Sequence, residues 1–209
     1  MTYTGSAHSM SEFKLSPELL KLIDAVNNRS AELTGDDGDK CIGSQLPTVN
    51  RAFEEIQRRG LPAGNQFCDW GSGLGGVCGV AALNGFKSLG IEFHHQFVVA
   101  AREIAEAQNL PITYCEGTFF VPGDETLSDK HSRMIMTYDK LAWEQTELSH
   151  QDIDVVFSYP WPGEEGFTDR VFLRHAKPGT LLVTFHGCDQ LLVQRKTEDQ
   201  NHLEVIDWM

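Results

Sequence analysis

Short apolar runs alternate with amphipathic stretches along most of the chain. Runs rich in β-branched and aromatic residues predict five strands, at 65–70, 87–92, 112–116, 152–158 and 180–186. Apolar positions at helical spacing predict four helices between them, at 76–83, 95–108, 138–147 and 164–176. Strands and helices that alternate in this way are typical of a doubly wound, mostly parallel α/β sheet, which is the fold class that we expect.

Two further helices are predicted before this α/β region. Ser16 and Pro17 favour a helix start, and the apolar spacing that follows predicts a helix over 16–33. Pro47-Thr48 opens a second helix, which Gly60 ends. Near the C-terminus, two strand-like runs predict a closing hairpin, at 191–196 and 203–208.

The composition narrows the class of protein and of partner. The 209 residues are 41% hydrophobic and 22% charged, as expected for one globular domain with a substantial core. The net charge of −13 repels phosphate backbones, so we do not expect a nucleic-acid partner. No apolar run is long enough to cross a membrane, and the five cysteines form no Cys-x-x-Cys pair. We therefore expect a cytoplasmic protein with buried thiols and no membrane partner.

The most informative stretch is a strand that ends on an acid and runs into a glycine-rich turn. Asp69 is followed by Gly71, Gly73 and Gly75 in alternate positions. A turn with so few Cβ atoms lets a ligand approach the backbone closely. A buried acid is costly unless a partner takes up its charge. Together these features predict a nucleotide-like ligand that carries a positive group.

Two cofactor classes are compatible with the glycine spacing. Gly71, Gly73 and Gly76 also satisfy the Gly-x-Gly-x-x-Gly pattern of dinucleotide sites, so an NAD(P)-dependent oxidoreductase is an open alternative. Asp69 favours the other class, because a carboxylate repels a pyrophosphate and suits an ammonium group. Glu92, at the end of the next predicted strand, comes close to this turn in a strand-helix-strand unit. Its carboxylate can accept hydrogen bonds from both hydroxyls of a ribose.

The series Asp69-x-Gly71-x-Gly73-x-Gly75 followed by Glu92 resembles the class I, Rossmann-like S-adenosylmethionine-dependent methyltransferases, over roughly residues 43–186. The resemblance implies that S-adenosylmethionine is the cofactor and that Glu92 binds its ribose. The residues expected to hold the methionine end are Asp69, Gly71, Ser72, Gly73 and Gly75.

The resemblance also implies contacts to the adenine. Phe93 is expected to flank the ring, and the residues after the third strand are expected to contact its edge. Many members have Gly-Asp at that point, whereas this chain has Gly117-Thr118. Upstream, Gln45-Leu46-Pro47-Thr48 is similar to a segment that precedes the glycine motif in some lysine methyltransferases, which places Thr48 among the expected cofactor residues.

The loop after the fourth predicted strand is rigid and aromatic. Ser158-Tyr159-Pro160-Trp161 resembles the Asn/Asp/Ser-Pro-Pro-aromatic motif of amino-group methyltransferases, with Tyr in place of the first Pro. The resemblance implies catalytic roles for Ser158, Tyr159 and Trp161, and Ser158 also borders the cofactor. A general base is optional for methyl transfer, because the enzyme mainly aligns the nucleophile. Candidate bases are Tyr159, Glu164, Glu165 and His186.

We therefore expect a methyltransferase with an N-terminal extension. Residues 1–40 are interpreted as a tail and a helix that could act as a lid, and residues 41–209 as the domain that binds S-adenosylmethionine. The expected acceptor is an amino nitrogen of a small molecule or a protein side chain, and no metal site is expected. A protein that binds S-adenosylmethionine without catalysis is the remaining alternative.

Overall fold

The computed structural model describes residues 15–33, 43–128, 139–187, 190–199 and 202–208. It contains five α-helices: α1 (Pro17–Leu33), α2 (Leu46–Arg58), α3 (Gly76–Leu83), α4 (His95–Ala107) and α5 (Glu165–His175). The seven strands are β1 (Gln66–Trp70), β2 (Lys87–Glu92), β3 (Ile112–Glu116), β4 (Val155–Ser158), β5 (Leu181–Phe185), β6 (Leu191–Lys196) and β7 (Leu203–Val205).

The strands form one sheet in the order β3-β2-β1-β4-β5-β6-β7. The first five strands are parallel to one another, and β6 and β7 are antiparallel to their neighbours. Helices α1 to α4 pack on one face of the sheet, and α5 packs on the other. The expected doubly wound, mostly parallel α/β fold is therefore confirmed.

All five predicted strands of the parallel region are present. The fourth is shorter than predicted, because a 3₁₀ turn at His150–Asp152 precedes it and β4 begins only at Val155. The closing hairpin at the C-terminus is also confirmed, although its last strand ends at Val205. The tail then folds back on the sheet, where the Trp208 indole N–H donates to the carbonyl of Leu191 at 3.0 Å.

The predicted helix at 138–147 is wrong. The described residues 139–147 contain only a 3₁₀ turn, Ala142–Gln145. The backbone of this segment bonds to the residue after β3: Thr118 N–H donates to the Lys140 carbonyl at 2.9 Å, and Ala142 N–H donates to the Thr118 carbonyl at 3.1 Å. These non-local bonds replace the bonds that a helix would make four residues away along the chain.

The segment after β3 is anchored to α5 by one buried acid. The Asp124 side chain is completely buried. One carboxylate oxygen lies 2.7 Å from His175 Nε2 and 3.2 Å from Arg174 Nη1, and the other accepts from the Val121 N–H at 3.0 Å. Charged hydrogen bonds of this kind are among the stronger ones in proteins, so they hold residues 121–127 against the helix.

Helix α1 packs as part of the main core. Leu19 and Leu22 are buried in it, and Leu22 lies directly against Gly79 of α3. Arg29 makes a further ion pair with Glu103 of α4 at 2.7 Å. A movement of α1 as a lid remains a prediction, and residues 1–14 and 34–42 lie outside the described residues.

The three described cysteines agree with the expected buried thiols. Cys68, Cys78 and Cys115 are buried and unpaired, whereas Cys41 and Cys188 lie outside the described residues. In the described part of the chain, no helix has both the length and the apolar character needed to cross a membrane.

Candidate cofactor and active site

The strand order reverses at the carboxyl end of β1, and the region around this point is named the crevice. This strand pairs with β2 on one side and with β4 on the other, so the chain winds away from β1 in both directions. Ligands of doubly wound sheets bind at such a point, outside the carboxyl ends of the strands. Asp69, Glu92 and Ser158 all lie at or next to the carboxyl ends of these three strands.

The glycine turn, residues 71–75, folds back over the end of β2. Gly71 and Gly75 have φ angles of 81° and 77°, a backbone conformation that residues other than glycine rarely adopt. The N–H groups of Gly71 and Ser72 both donate to the carbonyl of Ile91 at 2.9 Å. Apart from its chain neighbours, no described residue has an atom within 4 Å of a Cβ built on Gly71, so the backbone is open on that side.

Glu92 connects the end of β2 to this turn. Its side chain is only 7% exposed. One oxygen accepts from the N–H of Gly73 at 2.9 Å, and the other accepts from the N–H of His94 at 2.8 Å. An ionised carboxylate has about four acceptor positions, so it can still accept from ligand hydroxyls.

Asp69 is buried below the same turn, with 3% exposure. Burial raises the pKa of its carboxyl to about 8, the hydrogen bond with the Cys78 thiol opposes this rise, and the charge of Glu92 adds to it. The Cys78 Sγ atom lies 3.7 Å from Asp69 Oδ2. A cation placed beside Asp69 would restore the ionised form, because opposite charge lowers the pKa of a carboxyl.

Tyr114 forms the floor of the glycine turn, and the sequence interpretation missed it. Asp69, Gly90 and Tyr114 are neighbours across β1, β2 and β3. A Cβ on Gly90 would lie 2.6 Å from Tyr114 Cδ1 and 2.8 Å from the Ser72 hydroxyl. The signal in the sequence is Gly90 itself, because a glycine inside a strand often marks the close approach of another group.

The Ser72 hydroxyl is a buried polar atom that has no hydrogen-bond partner among the described residues. Buried hydroxyls are nearly always paired in native proteins, and each exception calls for an explanation. Ser72 lies in the glycine turn between Gly71 and Gly73. The hydroxyl lies beside Gly90 and the Tyr114 ring, so a group that pairs with it must reach this buried side of the turn.

Phe93 and Thr118 lie on the side of the site next to β3. Phe93 is 46% exposed, which is unusual for a ring of this size. The N–H of Gly117 donates to the carbonyl of Glu92 at 2.8 Å, so the two strand ends are held together. The Thr118 hydroxyl accepts from the N–H of Phe120 at 3.2 Å, which gives it a structural role in this loop.

Glu116 holds three segments together at the outer rim of this side. It lies 2.7 Å from the His95 Nδ1 atom and pairs with Lys140. The hydrogen bond from His95 and then that from Lys140 lower the pKa of the Glu116 carboxyl to about 2. Because His95 begins α4 and Lys140 precedes the 3₁₀ turn, Glu116 fixes both next to the end of β3.

The loop after β4 borders the crevice on the opposite side. Ser158 is buried, and it lies opposite Trp70 in the parallel pairing of β1 with β4. The ring of Tyr159 packs edge-on against Phe185, with centroids 5.1 Å apart. Trp161 is 62% exposed, so its ring is available to a ligand and does not pack in the core.

The other candidate bases lie around this loop. Burial raises the pKa of the Glu164 carboxyl, which precedes α5. Glu165 accepts from the N–H of Gly163 at 2.8 Å and stabilises the turn. His186 is exposed after β5, and its Nε2 atom lies 2.8 Å from the Thr184 hydroxyl.

Comparisons with known proteins agree with this architecture. No protein-family model matches the sequence, and no curated protein does. An O-methyltransferase from Bacillus cereus in complex with SAH is 15% identical to this chain. The match covers 83% of this chain and 68% of that protein, with a TM-score of 0.53. The O-methyltransferase TomG from Streptomyces achromogenes, in complex with SAM, is 14% identical over 83% of this chain and 67% of its own, with a TM-score of 0.51. The chain has the class I methyltransferase fold.

Within this methyltransferase fold, the structure gathers most of the predicted site residues at one end of the sheet. Seven of them lie around the ends of β1 and β2 or next to β3: Asp69, Gly71, Ser72, Gly73, Gly75, Glu92 and Phe93. Gly117 and Thr118 follow β3. Ser158 is the last residue of β4, and Tyr159 and Trp161 lie in the loop after it.

Thr48 lies apart from the glycine turn, in the first turn of α2. It lines a groove of about 530 Å³ together with His186 and Gln190. Leu46, two residues earlier, packs against Gly76 at the start of α3, so this end of α2 adjoins the helix that follows the glycine turn.

A second cavity, of about 320 Å³, lies at the opposite end of the sheet. Gln66, Lys87 and Pro111 are among its lining residues, and they stand at the amino ends of β1, β2 and β3. Ligands of the methyltransferase fold bind at the carboxyl ends of the strands, so this cavity is not a candidate for the cofactor.

Proposed function

We propose that the protein is an S-adenosylmethionine-dependent methyltransferase that acts on an amino nitrogen. The observation that carries the proposal is the pair of buried carboxylates, Asp69 and Glu92, on either side of an open glycine turn. The solved proteins with the same fold include methyltransferases in complex with SAM or SAH, which supports the same cofactor here.

The residues of the crevice fit the chemistry of this cofactor. In the proposal, Asp69 faces the ammonium of the methionine end, and a cation there offsets the cost of ionising a buried acid. Glu92 accepts from the ribose hydroxyls, and Ser72, whose hydroxyl has no partner among the described residues, belongs to the turn that holds the methionine end. The exposed ring of Phe93 covers the adenine, which would bury an otherwise exposed apolar surface.

A pyrophosphate fits the same crevice poorly. The buried carboxylate of Glu92 beside the turn repels a doubly charged pyrophosphate, and such an anion, unlike an ammonium group, gives the buried Asp69 no charge to pair with. An NAD(P)-dependent oxidoreductase is therefore not favoured. A protein that binds the cofactor without catalysis is not favoured either, because a polar and aromatic loop borders the crevice after β4.

The loop after β4 is proposed to align the acceptor. The cofactor supplies a methyl group on a sulfonium, which is an activated leaving group. The chain therefore needs only to place the nucleophile in line with the methyl carbon and to shed water from the crevice. Ser158 and the carbonyl of Tyr159 hold the amino nitrogen, Trp161 covers the substrate, and the proton of the amine leaves to solvent or to a carboxylate such as Glu164.

Calorimetry with S-adenosylhomocysteine tests the proposal. We expect binding with a 1:1 stoichiometry, and we expect Asp69→Asn to weaken it by at least about ten-fold, since one charged hydrogen bond contributes about 1.5–3 kcal/mol. Asp24→Asn, on the exposed face of α1, is the matched control. The proposal fails if NADH binds and S-adenosylhomocysteine does not.

A further inference from the structure

The groove beside the loop after β4 has its own chemistry. It is lined by residues of α2, of the β5–β6 connection and of the C-terminal tail, and its volume of about 530 Å³ is ordinary for a small-molecule site. The chain carries a net charge of −13, yet none of the described residues that line this groove is acidic. An arginine in a groove whose described lining contains no acid favours an anionic ligand.

The polar wall of the groove comes from α2. Arg51 lines it, one turn after Thr48. A guanidinium presents five N–H donors in a fork that matches the oxygens of a carboxylate or phosphate. The start of α2 adds to this, because helix N-termini carry partial positive charge, and the side chain of Gln45, its N-cap, makes no capping hydrogen bond among the described residues.

The opposite wall is apolar. Leu191, Leu192 and Trp208 contribute to it. The indole of Trp208 is fixed by its hydrogen bond to the carbonyl of Leu191 at 3.0 Å, so the ring is a rigid surface. A rigid ring and two leucines suit a flat apolar body better than a flexible polar chain.

The groove adjoins the place where the methyl group would be transferred. Tyr159 packs against Phe185, the last residue of β5, and its hydroxyl lies 3.5 Å from a Cβ built on Gly187. His186, between these two residues, lines the groove. A molecule in the groove can therefore extend toward the loop of Ser158 and Tyr159.

We propose that this groove, lined by Thr48, Arg51, Gln190 and Trp208, binds the methyl acceptor through an anionic group. The inference rests on the proposed methyltransferase function and narrows its substrate class. The acceptor is a small, flat amine that carries a carboxylate or a phosphate, and Arg51 binds that anion. A basic protein segment is disfavoured, because Arg51 would repel its charges.

Small probes test the groove without knowledge of the natural acceptor. The protein, saturated with S-adenosylhomocysteine, is titrated with benzoate, with phenyl phosphate and with the neutral benzamide. The readout is the indole N–H signal of Trp208 in a ¹H–¹⁵N spectrum, assigned with Trp208→Phe. We expect one or both anions to shift this signal and to bind at least ten-fold more tightly than benzamide. The better anion identifies carboxylate or phosphate as the preferred group.

Arg51→Gln is expected to weaken binding of the better anion by ten-fold or more. Arg58→Gln is the matched control, because Arg58 lies two turns further along α2 and pairs with Glu55. Equal binding of benzamide, unchanged affinity in Arg51→Gln, or no shift of the Trp208 signal would each overturn the proposal.

The cofactor itself is the competing occupant, since its methionine end carries a carboxylate. If Arg51→Gln weakens S-adenosylhomocysteine binding, or if benzoate competes with it, the groove belongs to the cofactor and the acceptor proposal is wrong. The titrations are repeated without S-adenosylhomocysteine. Failure of S-adenosylhomocysteine to bind would refute the proposed methyltransferase function. Anion binding in the titrations without S-adenosylhomocysteine tests the groove separately.

Discussion

Glu92 accepts a hydrogen bond from the N–H of Gly73 at 2.9 Å, so the acid at the end of β2 fixes the turn that follows β1. The two residues belong to different strand ends, and this bond holds the two ends in one arrangement. The proposed ribose site is therefore already formed in the protein without ligand. Preorganisation of this kind reduces the cost of binding.

Replacement of Glu92 by Gln should weaken S-adenosylhomocysteine binding by about ten- to hundred-fold, because charged hydrogen bonds to hydroxyls become neutral ones. The measurement is titration calorimetry. Glu106→Gln, on the exposed face of α4, should leave the affinity unchanged. An affinity of Glu92→Gln equal to that of the parent would remove Glu92 from the ribose site.

Asp69 should make cofactor binding depend on protons. With a pKa of about 8, it is mostly protonated at pH 7, and an ammonium partner would ionise it. Binding of S-adenosylhomocysteine at pH 7 should then release close to one proton. Calorimetry in buffers with different ionisation enthalpies measures this number, and Asp69→Asn should abolish the release. A proton count near zero in the parent protein would contradict the assignment.

Asp69 should also make the free energy of unfolding of the unliganded protein depend on pH. Its folded pKa, about 8, is above its ordinary value of 3.8, so the stability that the neutral form provides is complete below about pH 4 and declines as the pH rises to 8. The slope reaches at most about 1.4 kcal/mol per pH unit. Urea unfolding of the parent and of Asp69→Asn between pH 5 and 8 measures it. Parallel curves for the two proteins would show that Asp69 does not titrate in this range.

Gly90→Ala should destabilise the protein by about 1–3 kcal/mol, because a Cβ there would lie 2.6 Å from Tyr114 Cδ1. Urea unfolding gives the free energy of unfolding. Gly43→Ala is the control, because no described residue beyond its chain neighbours has an atom within 4 Å of a Cβ built there. In a Tyr114→Val background, the cost of Gly90→Ala should be smaller, since neighbouring substitutions are not additive. Full additivity would mean that contact with Tyr114 is not the cause of the destabilisation by Gly90→Ala.

Trp161→Ala should separate function from stability. The side chain is 62% exposed, so the free energy of unfolding should change by less than about 0.5 kcal/mol. Methyl transfer from tritiated S-adenosylmethionine to a metabolite extract should fall, while binding of S-adenosylhomocysteine should not. Trp161→Phe should keep part of the activity through its ring. Unaltered transfer by Trp161→Ala would exclude the ring from the acceptor site.

The fold and the cofactor end of the site follow from local patterns in the sequence. The strands β1, β2, β3 and β5 and the helices on either side have strong periodicity and clear breakers. The glycine turn and its two acids lie at strand ends, where topology alone brings them together. For the same reason, the sequence alone predicts that Asp69 and Glu92 lie at neighbouring strand ends.

Only the tertiary structure decided the features that depend on distant partners. The stretch at 138–147 has helical spacing, but its backbone bonds to Thr118, so non-local hydrogen bonds outweigh the local preference. Tyr114 supports the glycine turn from a strand that is distant in sequence, and Thr48 lines a groove with Trp208 from the other end of the chain. Periodicity reports which face of an element is buried, and it carries no information about which remote residue will cover that face.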